Sequence, residues 1–181
     1  MTVPIWFLDI DGVVNALARP APIGHQITTA ITMGRGWRIA YDPRVIEFIN
    51  RVSRENLAEI RWLTTWEQDA HRSLGPTVGF DAFPAYDIPD DDSAFGWWKA
   101  DIVAASIENE GRPLLWTDDD IDSEPVRDSL IAEGTASLLV SPDPQTGLET
   151  KNLETIEEFI MGVQPGGRPS PTRRNDRSNT H

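Results

Sequence analysis

The chain of 181 residues contains no cysteine, only three histidines, and only two lysines against 14 arginines. Without cysteine there is no disulfide framework, no thiolate zinc site and no cysteine nucleophile. His25, His71 and His181 are too few for a histidine-rich metal site, and none has a partner signal in the sequence. No apolar run reaches the roughly 18 residues that mark a membrane-spanning helix, and the first residues lack a basic-then-apolar leader pattern. A cytoplasmic protein is the expectation. What is present is acid: 29 acidic residues against 16 basic ones give a net charge of −13. With 39% hydrophobic and 25% charged residues the composition is that of a folded domain. One domain of this length buries roughly 70% of its unfolded surface and needs no covalent staple.

The charge is uneven. Residues 165–181 carry four arginines against Asp176, or +3, whereas residues 1–164 carry −16. An acidic body does not attract polyphosphate as a whole, so an anionic substrate must meet a local basic or metal-loaded site. Residues 1–162 read as the folded domain. Residues 163–181, rich in Pro, Gly, Ser, Asn and Arg, read as a disordered basic tail.

Four short apolar runs, at 3–10, 58–64, 112–118 and 137–142, are continuous rather than alternating. That pattern suits strands covered on both faces of a parallel sheet. Helical periodicity lies between and after them, at 42–54, 97–109, 123–133 and around Leu153–Gly162. Asp42 is a good N-cap and Pro43 a good first helical residue. Strands alternating with helices predict an α/β fold, a Rossmann-like parallel sheet flanked by helices. Residues 15–41 predict a small hairpin flap after the first strand, turning around Gly34-Arg35-Gly36. Residues 75–96 are rich in Gly, Pro and Asp and predict mostly loop, so no large cap domain fits. Asp90-Asp91-Asp92 reads as a solvated surface.

The strongest chemical signal is Phe7-Leu8-Asp9-Ile10-Asp11-Gly12-Val13 at the end of the first strand. Residues two apart share a side of an extended chain, so both carboxylates are expected to project together from the carboxyl edge. Gly12 allows a sharp turn there. Such a pair suits phosphoryl transfer through an aspartyl phosphate: one carboxylate attacks phosphorus, and the other handles protons.

These residues, with three later segments in chain order, resemble the haloacid dehalogenase-like superfamily. Residues 7–13 are similar to its first motif, which implies Asp9 as nucleophile and Asp11 as acid/base. Trp62-Leu63-Thr64-Thr65-Trp66 resembles the second, Lys99 at a helix start the third, and Leu114 to Asp120 the acidic fourth. Trp62 to Trp66, Trp97-Trp98-Lys99, Trp116 to Asp120 and the stretch 143–153 also resemble the phosphatase-like domain associated with Swiss-army-knife RNA repair proteins. The likeness implies that Thr64, or Thr65 if the strand ends one later, binds phosphate oxygens. Lys99 would sit between nucleophile and phosphate. Asp118 would hold a metal, joined by Asp119 in a paired form or Asp122 in a spaced one, with Asp120 solvated. Lys151 reads as a surface residue.

A metal follows from charge. Asp9, Asp118 and a phosphate brought together repel by about 4 kcal/mol per pair at an effective dielectric near 20. Mg²⁺ is the hard divalent ion usual beside phosphate, held here by Asp9, Asp118, Asp119 and the backbone carbonyl of Asp11. Trp6, Trp62 and Trp116 are expected in the core, while Trp66 and Trp97-Trp98 lie nearer the mouth, where stacking of a base or sugar and packing into the core are both open. The expected function is a Mg²⁺-dependent phosphomonoester hydrolase acting on nucleic-acid ends. Its rivals are a small-molecule 5′-nucleotidase and a regulatory domain that binds phosphate and Mg²⁺ without turnover.

Overall fold

The apolar run at residues 3–10 forms β1 (Ile5–Leu8), whose four side chains are all buried. In the computed structural model, which describes residues 3–90, 93–121 and 135–164, β1 is an inner strand. It is flanked by β4 (Glu59–Trp62) and β5 (Leu114–Thr117), and β6 (Ser137–Val140) lies beyond β5. All three pairings are parallel. The alternation of side chains along β1 feeds two cores. Trp6 and Leu8 face α1 (Pro43–Arg54) and α4 (Thr150–Val163), whereas Ile5 and Phe7 face α3 (Trp98–Glu110). The result is the predicted α/β fold, a parallel sheet between helical layers. Among the described residues no helix is long and apolar enough to cross a membrane.

The predicted hairpin is present as β2 (Gln26–Thr32) and β3 (Arg35–Tyr41), with Thr32 paired to Arg35. Its turn is Met33-Gly34, both at positive φ (49° and 70°), the backbone a tight two-residue hairpin requires. The turn thus sits one residue earlier than the glycine pattern suggested. Asp42 caps α1 as expected, accepting the Arg44 N–H at 2.9 Å. One element was not foreseen: Ala70–Leu74 is a π-helical turn that runs into α2 (Gly75–Val78), inside what otherwise reads as loop. The Ser73 hydroxyl and the Asp69 carboxylate accept the Ile31 and Met33 N–H groups at 2.7 and 2.9 Å, docking the hairpin's edge on that turn. The helix expected at 123–133, Asp91, Asp92, Asp122 and the tail beyond 164 lie outside the described residues.

Candidate active site

The chain leaves β1 toward β4 on one side, and leaves β5 toward β6 on the other. Loops departing in opposite directions open a crevice between the carboxyl ends of β1 and β5, where open α/β sheets bind ligands. Asp9 follows β1 and Asp118 follows β5, so both stand at that crevice. Their main chains are still held by the sheet: the Asp9 N–H donates to the Thr117 carbonyl at 3.0 Å, and the Asp118 N–H to Val140 at 3.1 Å.

Lys99, in the first turn of α3, joins the two. Its Nζ donates to Asp9 Oδ2 and to Asp118 Oδ2, each at 2.7 Å, and all three residues are buried. The ammonium lies 5.9 Å from the Trp97 ring centroid, and that ring stacks on Trp116 at 4.9 Å. Trp97 therefore packs behind the lysine and favours its charge through the ring face. Asp9 Oδ1 accepts the Ile10 N–H at 2.7 Å. Thr64, buried at the end of the β4 segment, lies near enough to the Asp9 carboxylate to favour its charge, and accepts the Trp66 N–H at 3.4 Å.

Asp119 completes the cluster. One carboxylate oxygen each from Asp9, Asp118 and Asp119 lie within 4.8 Å of one another. Gly12, at φ +72°, makes room for this: a Cβ there would overlap the Asp119 carboxyl group. One ammonium against three carboxylates leaves the cluster short of positive charge. Burial pushes Asp9 upward, only partly countered by Lys99, the Ile10 amide and Thr64. Burial and the Asp9 charge raise Asp118 to about 7, and burial with Asp9 and Asp120 raises Asp119 to about 6. Burial pulls Lys99 down, but the Asp9 and Asp118 carboxylates outweigh it and hold it above the usual range.

Asp11 departs from the expected geometry. β1 ends at Leu8, so the two-residue period stops before Asp11 and its carboxylate does not follow Asp9 toward α3. It is drawn instead toward the hairpin side, accepting Asn15 Nδ2 at 2.7 Å and the Trp66 indole N–H at 2.9 Å. Asn15 in turn accepts the Ala40 N–H of β3 at 2.9 Å. Val13, Val14 and Asn15 all donate their amides to the Ile10 carbonyl, which leaves the Asp11 carbonyl outside the turn's own hydrogen bonds.

The structure thus brings Asp9, Gly12, Thr64, Lys99, Asp118 and Asp119 into one place, with Asp11 beside them. Thr65 is exposed, so the buried Thr64 is the residue at the strand end. Trp66 is buried and has no free face for a base, which corrects its stacking role to one of holding Asp11. Trp6, Trp62 and Trp116 are core residues as expected. Lys151 is exposed and pairs with Glu149 at 2.8 Å. Sequence reasoning missed Asn15 altogether; a polar residue in a post-strand turn carries no local mark of what it will bond. Comparisons of the chain with protein-family models, with curated proteins and with solved structures find no match.

Proposed function

We propose that this chain is a Mg²⁺-dependent phosphomonoester hydrolase that works through an aspartyl phosphate on Asp9 and acts on nucleic-acid ends in the cytoplasm. The observation that carries the reading is the buried bridge of Lys99 between Asp9 and Asp118 at the sheet's switch point. A buried carboxylate held beside a cation and a threonine hydroxyl is a positioned nucleophile, and the same donors suit phosphoryl oxygens. The donor set fits a hard divalent ion: three carboxylates around one lysine, with oxygen ligands only. Asp9, Asp118 and Asp119 would hold it, with the Asp11 carbonyl as a further ligand. Bound there, Mg²⁺ would supply the positive charge that phosphate and carboxylates together lack.

The chain's own residues then divide the work. An Asp9 oxygen forms a bond to phosphorus as the bond to the leaving oxygen breaks. Asp11 gives its proton to that leaving oxygen, Asn15 and Trp66 having fixed its carboxyl group. Water next attacks phosphorus, Asp11 takes the water proton, and the Asp9–phosphorus bond breaks to release inorganic phosphate. Lys99 and Thr64 hold phosphoryl oxygens through both steps.

The test is phosphate release from phosphorylated oligonucleotides, nucleoside monophosphates and an aryl phosphate, with Mg²⁺ and with EDTA. The expected result is Mg²⁺-dependent release that falls by about 10³-fold or more in Asp9→Asn. No release from any of them would overturn the reading. Release from monophosphates alone would make the protein a nucleotidase.

A further inference from the structure

Acidic residues make up 29 of the 181, yet residues 12–41 contain none and hold Arg19, Arg35 and Arg38. Among the described residues, Arg44, Arg51, Arg54, Arg61 and Arg112 each form an ion pair with a carboxylate. Arg19, Arg35, Arg38 and Arg72 form none. The first three lie in the acid-free segment. Arg72 is on the π-helical turn whose Ser73 holds β2. Among the described residues, the guanidinium groups without an ion pair therefore lie in or next to the hairpin segment.

The same element is unusually apolar for a surface. Of nine exposed large hydrophobic side chains among the described residues, six lie in residues 12–41, including Met33 at the turn and Trp37, 51% exposed. Arg35 and Trp37, two apart on β3, share a face of the hairpin. Both ends of the hairpin are tied to the catalytic neighbourhood. Its base reaches Asp11 through Asn15. Its tip reaches Asp69, whose amide donates to the Trp66 carbonyl at 2.9 Å, and Trp66 holds Asp11.

We propose that the hairpin is the docking surface for a single-stranded polynucleotide, with Trp37 stacking on a base, and Arg35 beside it and Arg72 on the adjoining turn meeting backbone phosphates. The choice of a phosphate-bearing polymer rests on the reading of the adjacent site. Unpaired arginines beside an exposed aromatic ring are what single strands bind, and the ring stacks only on a base that is not already stacked in a duplex. Charge complementarity points to the same element. The −16 of residues 1–164 repels a polyanion, and the longest stretch without an acid is where that repulsion is relieved.

The experiment is binding of labelled single-stranded RNA and DNA of roughly ten nucleotides, followed by fluorescence anisotropy in EDTA so that no turnover intrudes. The wild type should bind both or one of them, with log Kd varying with log salt at a slope of magnitude about 1.4 for two phosphate contacts. Arg35→Glu with Arg72→Glu should weaken binding at least about tenfold, and Arg35→Lys by less than about threefold. Trp37→Ala should weaken it by about fivefold or more. Absence of binding at low salt, or equal binding by the wild type and these folded variants, would overturn the proposal. So would preferential binding to phosphatidylserine vesicles, or a Trp37→Ala effect confined to self-association in sedimentation. Hydrolysis of an aryl phosphate by the wild type reports on the site separately. Binding without hydrolysis upholds the surface and removes the site reading; hydrolysis without binding removes the surface alone.

Discussion

The parallel sheet carries a charged cluster at each end, and the two are wired in opposite senses. At the amino edge Arg61 and Arg112 face Glu59 and Glu110 in balanced pairs: Arg61 reaches Glu110 at 2.6 Å and Glu59 at 2.7 Å, and Arg112 reaches Glu59 at 2.6 Å. At the carboxyl edge one lysine faces three carboxylates. The Arg61 hydrogen bonds outweigh burial and pull Glu110 down to about 2, while burial pushes Asp118 up to about 7. Each acid of the first cluster is better off charged in the fold than out of it. The acids of the second are held at a cost that only a further cation or proton relieves. That is the physical difference between ion pairs that support a fold and a cluster that could take up a further cation.

The largest expected effect that sharpens this contrast is on stability. Lys99→Met removes the only cation, among the described residues, that touches the two buried carboxylates of Asp9 and Asp118, and should cost about 3–5 kcal/mol in EDTA at pH 8. Chemical denaturation should show most of that loss recovered at pH 5, where Asp118 and Asp119 take up protons. Arg61→Met should also destabilise, but without recovery at pH 5, because Glu59 and Glu110 stay ionised there. Equal pH responses in the two variants would break the contrast.

The pH profile of the metal-free wild type comes next. Asp118 and Asp119 have folded-state values near 7 and 6 against an ordinary 3.8. Between those values the folded state binds more protons than the unfolded one, so stability falls as pH rises through that window. Glu110 acts in the opposite direction: its contribution is complete above 4.5 and is lost as pH falls toward 2. Stability in EDTA should therefore peak near pH 5 and drop by on the order of 2–4 kcal/mol toward pH 8. Mg²⁺ should restore the loss at pH 8, by roughly 2.7 kcal/mol at a hundred times its Kd. Melting temperatures across pH, with and without Mg²⁺, measure both.

The smallest expected effect concerns Asp11. Trp66→Phe keeps the ring in the core but deletes the N–H that fixes one carboxylate oxygen. It should lower kcat about tenfold with little change in KM, since it misplaces a proton donor rather than a phosphate ligand. A change confined to KM would return Trp66 to a role in substrate binding.

Much of the architecture was legible because its causes are local. Continuous apolar runs marked buried parallel strands, Asp42-Pro43 marked a helix start, and Gly34-Arg35-Gly36 marked the hairpin. Asp9 and Asp118 were legible as acids following apolar strands, and Lys99 by its rarity among arginines. The remainder depended on contacts across the chain. Nothing near Asp11 announces that β1 stops at Leu8, that the indole of Trp66, 55 residues away, turns toward its carboxylate, or that Asn15 fastens it to β3. The spacing of two carboxylates suggested a shared direction that the two side chains do not take, because strand periodicity holds only while the strand lasts.

The central claim is that Asp9 carries the phosphoryl group. Acid-quenching the protein during turnover of a phosphomonoester with Mg²⁺, then analysing its peptides by mass spectrometry, tests it directly. The account predicts a phosphoryl group on Asp9 in the wild type and none in Asp9→Asn. Phosphate release at the wild-type rate by Asp9→Asn, or release with the phosphoryl group trapped on another residue, would contradict it.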